Sequence, residues 1–206
     1  MSSADYFTFF SLPPKLRIDT SALEKAFYSL SRKLHPDRFA SKPLAEQEAA
    51  LTQSSLLNDA YRTLKDPILR TQYLLSLEGV ELEEQSKVAT DAARATGTQK
   101  KQTVPPELLE EVFELNMQLA EMRAANKMGE DEPELRRDLM TAKDAFDEKM
   151  VETQAELETL WTAWDKATEA ENESAKTTAK EAMVALLNKR SYLRNLVRDV
   201  NEALGD

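Results

Sequence analysis

The chain has no cysteine and only one histidine among its 206 residues. The lack of thiols excludes disulfide bonds, thiolate catalysis and cysteine-based metal sites, and a single imidazole excludes a histidine-rich metal site. The sequence also has no glycine-rich phosphate loop and no evident nucleophile–base pair. We therefore expect a protein that is not an enzyme and that holds no metal and no cofactor.

Glycine is scarce too, with four residues, whereas apolar helix formers are abundant, so the expected fold class is all-α. No run of eighteen apolar residues occurs, and residues 1–5 lack the charged and then apolar pattern of a signal peptide. We expect a soluble, cytoplasmic monomer that makes no contact with membranes.

Charge is distributed unevenly along the chain. Residues 1–77 hold ten Lys/Arg and eight Asp/Glu, a net charge of +2, and residues 78–206 hold seventeen and twenty-nine, a net charge of −12. Nucleic acid needs a sustained positive surface, so this pattern argues against a nucleic-acid partner. A basic front and an acidic rear instead favour two domains with different partners.

The single histidine lies between two segments with helical periodicity. Apolar residues recur at i, i+4, i+7 and i+11 before it, and a second helical stripe follows it: Leu23, Phe27, Leu30, Leu34 and then Leu57, Ala60, Tyr61, Leu64. Asp19, Thr20 and Ser21 offer N-cap oxygens at the start of the first helix, and Glu24 completes a capping-box pattern with Ser21. Pro36 ends that helix. We therefore predict that His35, Pro36 and Asp37 form an exposed turn of a helical hairpin.

The first of these helices has a basic stripe on the face opposite its apolar residues. At about 100° per residue, Lys25, Ser29, Arg32 and Lys33 fall within a quarter-turn of one another. A solvated outer face is the ordinary interpretation of such a charge run, because surface helices are polar on the outside. The charges alone do not distinguish that interpretation from a partner-binding surface.

A helix with a basic face, then His-Pro-Asp, then a longer antiparallel helix resembles the J domain, the module that stimulates the ATPase of DnaK-type chaperones. The resemblance implies a chaperone-binding surface made of Lys25, Arg32, Lys33, His35, Pro36, Asp37 and Arg38. Two other roles for His35 are a proton carrier and a helix-terminal residue that the helix dipole favours. The dipole role predicts a loss of stability on mutation, whereas the chaperone role predicts a loss of ATPase stimulation with the fold intact.

Periodicity and punctuation divide the chain into an N-terminal J domain, a linker and a C-terminal bundle, predicted at residues 1–79, 80–103 and 104–206. In the first domain we predict a short aromatic helix, a helix from Leu44 to Lys65 and a helix that ends at Gly79. The predicted linker consists mostly of polar and small residues. Heptad spacing with breaks near residues 127–133 and 170–174 predicts an antiparallel bundle of three helices.

The first bundle helix carries a second apolar stripe. The predicted heptad seam of this helix consists of Leu108, Val112, Leu115, Leu119 and Met122. Leu109, Phe113 and Met117 lie roughly 140° from that seam, and they are flanked by Glu110, Glu114 and Glu121. One interpretation is a wide buried face, and the other is an exposed protein-binding strip with an acidic border. The sequence leaves both open.

A J domain followed by an acidic three-helix bundle is similar to the HscB-type co-chaperones of iron–sulfur cluster assembly. The similarity rests on these segments: 6–13, 34–39, 58–67, 73–79 and 109–119. It implies that the bundle binds the scaffold IscU and presents it to the chaperone HscA. By position, the implied scaffold surface consists of Leu109, Phe113, Glu114, Met117, Glu121 and Tyr192.

Two departures from the HscB pattern are visible. Glu110 and Met117 stand where the resemblance leads us to expect the apolar and acidic types the other way round. Eukaryotic members of the family can carry a metal-binding cysteine segment, and this chain has none, so no zinc is implied.

Two other functions are compatible with parts of the sequence. One is a general J protein with a different client, although a peptide-binding β domain and a Gly/Phe-rich segment are both lacking. The other is a structural bundle whose basic helix binds anionic lipid or nucleic acid, which the acidic rear half disfavours.

Overall fold

The computed structural model describes residues 5–80, 82 and 104–205. The helices are α1 (Tyr6–Phe9), α2 (Thr20–Leu34), α3 (Leu44–Lys65), α4 (Pro67–Leu77), α5 (Leu109–Met128), α6 (Pro133–Glu169) and α7 (Glu173–Leu204), with 3₁₀ turns at Pro36–Phe39 and Pro106–Leu108. The predicted all-α fold is confirmed. The predicted linker lies outside the described residues, apart from Val80 and Leu82.

The chain forms two compact units that share α6 and α7. The N-terminal unit joins Met1–Glu81 with Trp161–Lys180, and the C-terminal unit joins Leu82–Leu160 with Glu181–Asp206. The predicted domains follow the order of the chain, and they assign residues 161–180 to the bundle because the heptad pattern continues through that segment. In the structure, the adjoining ends of α6 and α7 pack with the N-terminal residues instead.

Helix α2 begins with a side-chain cap from Asp19, one of the three N-cap candidates that the sequence offers. The Asp19 carboxylate accepts hydrogen bonds from the backbone N–H groups of Ser21 and Ala22, at 2.9 and 3.0 Å. The predicted capping box of Ser21 and Glu24 is wrong, because the helix begins at Thr20 and Asp19 is therefore its N-cap. The Glu24 carboxylate turns instead toward α3, where it accepts from the Tyr61 hydroxyl at 3.2 Å.

Helices α2 and α3 form the hairpin that the sequence predicts. Leu23, Leu57 and Leu64 are buried between them, and the ring of Phe27 stacks on Tyr61 with centroids 4.1 Å apart. The predicted ends of α3 are confirmed, and so is the glycine after α4, since Gly79 adopts a φ of 77°. These bounds depend on local signals, which a sequence carries directly.

The end of α6 supplies polar partners to the buried interior of the N-terminal unit. Asp165, 8% exposed, accepts hydrogen bonds from the backbone N–H groups of Leu16 and Arg17, both at 3.0 Å. The indole N–H of Trp161 donates to Thr71 Oγ1 at 2.9 Å, and the Arg70 guanidinium lies 5.1 Å from the Trp161 ring centroid. The backbone donors of Leu16 and Arg17 thus find their acceptor almost 150 residues away in sequence, and Thr71 finds its indole partner 90 residues away.

Replacing Asp165 with alanine is expected to lower the free energy of unfolding of the N-terminal unit by about 2–4 kcal/mol, because two backbone N–H groups lose their acceptor. Urea denaturation followed by tryptophan fluorescence measures this, since both tryptophans of the chain, Trp161 and Trp164, lie in this unit. The control is Glu169→Ala, which removes an exposed partner of Lys15 and should change little. Equal losses in the two variants would contradict the assignment.

The C-terminal unit is built around one apolar core from α5, α6 and α7. Its buried members are Leu108, Val112, Leu115, Leu119, Met122, Leu135, Leu139, Phe146, Leu193, Leu196, Val200, Ala203 and Leu204. The predicted heptad seam of α5 is therefore confirmed as buried. Gly129, with a φ of 72°, ends α5 at the predicted break. Within the described ranges, none of the helices is apolar over a length that could span a membrane.

Candidate functional site

The His-Pro-Asp turn is an exposed, hydrogen-bonded corner. His35 takes an extended conformation, with φ −61° and ψ 127°, as expected of a residue before proline. It ends α2 and caps the 3₁₀ turn Pro36–Phe39, because its Nδ1 accepts from the backbone N–H of Asp37 at 3.3 Å. The backbone N–H of Arg38 donates to the His35 carbonyl at 3.0 Å. The turn is thus pre-formed.

The side chains of His35 and Asp37 both face solvent, at 56% and 90% exposure. Since Nδ1 of His35 accepts a hydrogen bond, the neutral imidazole carries its proton on Nε2. The same Nδ1 lies 3.5 Å from a carboxylate oxygen of Asp37, a pair that becomes ionic only when the imidazole is protonated. When the imidazole is neutral, its Nε2–H can donate a hydrogen bond to a partner protein, and the Asp37 carboxylate can accept one.

Two side chains hold this turn from either side. Arg38 Nη1 donates to the Arg32 carbonyl at 3.2 Å, which ties the turn to the last turn of α2. On α3, the amide of Gln47 donates to the carbonyls of Ala40 and Lys42, at 3.3 and 2.8 Å. Arg38 thus supports the turn as well as carrying charge. Sequence reasoning missed Gln47, because its role depends on how the loop folds back on α3.

The predicted basic stripe lies on the surface. Lys25, Arg32 and Lys33 are all exposed on α2, whereas Pro36 is half-buried in the turn. Tyr28 belongs to the same side of the helix and is 57% exposed. The prediction omitted Tyr28, although its position about 60° from Lys25 on a helical wheel is a signal that the sequence contains. Exposed tyrosines are common anchors of protein interfaces.

The second apolar stripe is exposed. Leu109, Phe113 and Met117 are 56%, 70% and 61% accessible, while the heptad seam of the same helix is buried. The structure therefore excludes the wide buried face and leaves the exposed strip, which we call the apolar stripe. Its acidic border is exposed as well: Glu110, Glu114 and Glu121. An apolar strip with a charged rim has the composition of a protein-binding surface.

Tyr192, the remaining predicted scaffold residue, is only partly accessible. It lies on α7 and packs against the core of the C-terminal unit. Burial, and secondarily the charge of Asp199, raise the pKa of its phenol above the ordinary value of 10.0. Tyr192 thus differs from the three residues of the apolar stripe, since it is partly buried against the core and they are more than half exposed.

A groove of about 400 Å³ lies between α5 and α6, within the C-terminal unit. Its lining includes Glu114 and Asp138 on the rim, and Leu115 and Phe146 on the floor. Sequence reasoning missed the groove, because it exists only once two helices are paired. In the part of the chain that the structure describes, we find no cluster of three ligating side chains for a metal ion.

Comparison with known proteins supports both halves of the resemblance. The DnaJ domain family matches residues 5–73. The chaperone HscB from Vibrio cholerae is 25% identical, with a TM-score of 0.58 over 96% of each chain. Human co-chaperone HscB is 23% identical, with a TM-score of 0.61 over 98% of this chain and 83% of that one. The Jac1 co-chaperone from Saccharomyces cerevisiae is 23% identical, with a TM-score of 0.54 over 98% and 95%.

Proposed function

We propose that this chain is a J-domain co-chaperone of the HscB and Jac1 type, which stimulates the ATPase of an HscA/DnaK-type chaperone while it delivers the iron–sulfur scaffold IscU. The observation that carries the proposal is the exposure of two distinct surfaces, one in each compact unit. The N-terminal unit presents the His-Pro-Asp turn, and the C-terminal unit presents the apolar stripe.

Docking of the chaperone begins with charge. The exposed cations of α2, Lys25, Arg32 and Lys33, attract an acidic surface of the ATPase domain, which sets the association rate and the register of the complex. His35 and Asp37 then dock as a turn whose shape is already fixed by Pro36 and by its internal hydrogen bonds. Because the turn is pre-formed, little conformational entropy is lost on binding.

Docking of the scaffold depends on apolar burial. The side chains of Leu109, Phe113 and Met117 supply an interface core, and the glutamates around them supply a polar rim. We expect the complementary surface of IscU to be an apolar patch bordered by lysine or arginine. The co-chaperone itself performs no reaction and needs no cofactor in this scheme, because its two binding events act on the hydrolysis that the chaperone catalyses.

The test is steady-state ATP hydrolysis by a cognate HscA-type chaperone in the presence of this protein and IscU, singly and together. We expect each to stimulate hydrolysis modestly and both together to stimulate it more than the sum of the two. If the stimulation of hydrolysis by this protein did not change when IscU is added, the result would indicate a J protein with a different client. A lack of stimulation by the folded protein would overturn the proposal. Sedimentation of the same sample tests the expected monomer, and fractionation of cells tests the expected cytoplasmic location.

Reversing two charges of the basic stripe tests the electrostatic step. In Lys25→Glu/Lys33→Glu, the concentration of co-chaperone needed for half-maximal stimulation should rise roughly tenfold or more at low salt, because attraction becomes repulsion. The maximal rate should change less, since the His-Pro-Asp turn is untouched. At higher ionic strength, the concentrations needed for half-maximal stimulation by the variant and by the original protein should become more similar. An effect that is independent of salt would contradict an electrostatic role.

A further inference from the structure

The only sulfur atoms of this protein are those of its seven methionines, since cysteine is absent. Among the described methionines, Met122 and Met183 are buried, at 2% and 0% exposure. Met117, Met128 and Met140 are open to solvent, at 61%, 69% and 53%. Among the methionines that the structure describes, soluble oxidants can therefore reach these three thioethers most readily, and of the three only Met117 belongs to the apolar stripe.

We propose that Met117 is a site of reversible oxidation by peroxides and that its oxidation weakens the binding of IscU, an inference that rests on the proposed function. The sulfur lone pair attacks one oxygen of hydrogen peroxide and the O–O bond breaks. A sulfur–oxygen bond forms, and the other oxygen leaves as water after a proton transfer. The thioether is oxidised by two electrons to the sulfoxide, and the peroxide is reduced by two.

The surroundings of Met117 make the sulfoxide costly at an interface. The residues one helical turn away, Phe113, Glu114, Ala120 and Glu121, offer apolar surface or carboxylate acceptors and no side-chain donor. A sulfoxide oxygen on the apolar stripe therefore has no side-chain donor within one helical turn, and docking against the apolar patch of IscU would strip it of water without compensation. In the free protein the same oxygen remains solvated, so the fold does not depend on the oxidation state of this residue.

The experiment exposes the full chain to hydrogen peroxide, removes the peroxide with catalase, and only then adds IscU. Mass spectrometry of peptides quantifies each sulfoxide, and calorimetry gives the dissociation constant for IscU. We expect that constant to rise about tenfold or more in step with the Met117 sulfoxide. Treatment with a methionine sulfoxide reductase and a dithiol should restore it, as the dithiol becomes a disulfide and the oxygen leaves as water.

Variants locate the effect. For each variant, the dissociation constant for IscU after peroxide is compared with that of the same variant before peroxide. An effect of the substitution itself on the affinity therefore does not enter the comparison. The peroxide-dependent loss should disappear in Met117→Leu, and it should persist in Met128→Leu and Met140→Leu, which remove two similarly exposed thioethers outside the apolar stripe. Circular dichroism of the oxidised protein should match that of the reduced protein.

Two results would overturn the inference. One is an unchanged dissociation constant for protein in which Met117 is fully oxidised, and the other is a loss that persists in Met117→Leu. An untreated protein that does not bind IscU would instead overturn the proposed function, together with this inference. That case is recognised by the lack of binding before any oxidation.

Discussion

Replacing His35 with glutamine is expected to bring ATP hydrolysis by the chaperone back to nearly its unstimulated rate while the fold stays intact. The imidazole is more than half exposed, and its hydrogen bond and its ion-pair contact are both with Asp37. Its loss therefore removes one long hydrogen bond at the surface, which should cost less than about 1 kcal/mol of unfolding free energy. Loss of an interface anchor should instead cost about 2 kcal/mol or more of docking free energy.

The measurement pairs the ATPase assay with urea denaturation of the same sample. Asp37→Asn provides a second variant of the turn, since it keeps the shape of the side chain and removes the charge that faces solvent. If His35 acted mainly as a residue that the dipole of α2 favours, the variant would lose stability and would still stimulate the chaperone. Such a result would remove His35 from the docking surface.

Replacing Phe113 with aspartate is expected to raise the dissociation constant for IscU by about thirtyfold or more. The phenyl ring is 70% exposed, so the folded chain does not need it, whereas an apolar interface would have to desolvate the new carboxylate. Isothermal titration calorimetry measures the constant directly. Circular dichroism should show the same helix content in the variant and the original protein.

Val151 provides a matched control for that experiment. It is an apolar residue of α6 with 71% exposure and lies outside the apolar stripe, so Val151→Asp adds the same charge at another exposed site. We expect less than a twofold change in the dissociation constant for this variant. Equal weakening by the two substitutions would show that added charge, rather than the apolar stripe, determines the affinity.

These two variants should also separate the two surfaces. Phe113→Asp keeps the His-Pro-Asp turn, so it should still stimulate the chaperone in the absence of IscU. His35→Gln keeps the apolar stripe, so it should still bind IscU. Synergy between co-chaperone and scaffold should be lost in both variants, for different reasons.

Local signals account for what the sequence predicts correctly. Pro36 fixes where α2 ends, and Asp66 with Pro67 fixes where α3 ends and α4 begins. The heptad seam of α5 is also predicted correctly, because the spacing of apolar residues along a helix indicates which side of it is buried. The His-Pro-Asp turn follows from the same punctuation.

Features that depend on residues distant in the sequence cannot be predicted from local patterns. Whether Leu109 and Phe113 face solvent depends on what packs against α5, and their chemical type is the same as that of the buried seam. Asp165 and Trp161 look like ordinary members of a charged amphipathic helix, and nothing in their neighbourhood indicates that they bind backbone and side chain near residues 16 and 71. Non-local hydrogen bonds leave no periodic trace in a sequence.

The sharing of α6 and α7 between the two units bears on how this protein can be taken apart. A fragment that stops at Val80 would lack Asp165 and Trp161, and the backbone donors of Leu16 and Arg17 would lose their buried acceptor. Grafting that fragment onto another protein would therefore transplant an incomplete module. A chimera that retains Trp161–Lys180 keeps these partners. The unit that contains the J domain is therefore made of two segments that are separated in the sequence.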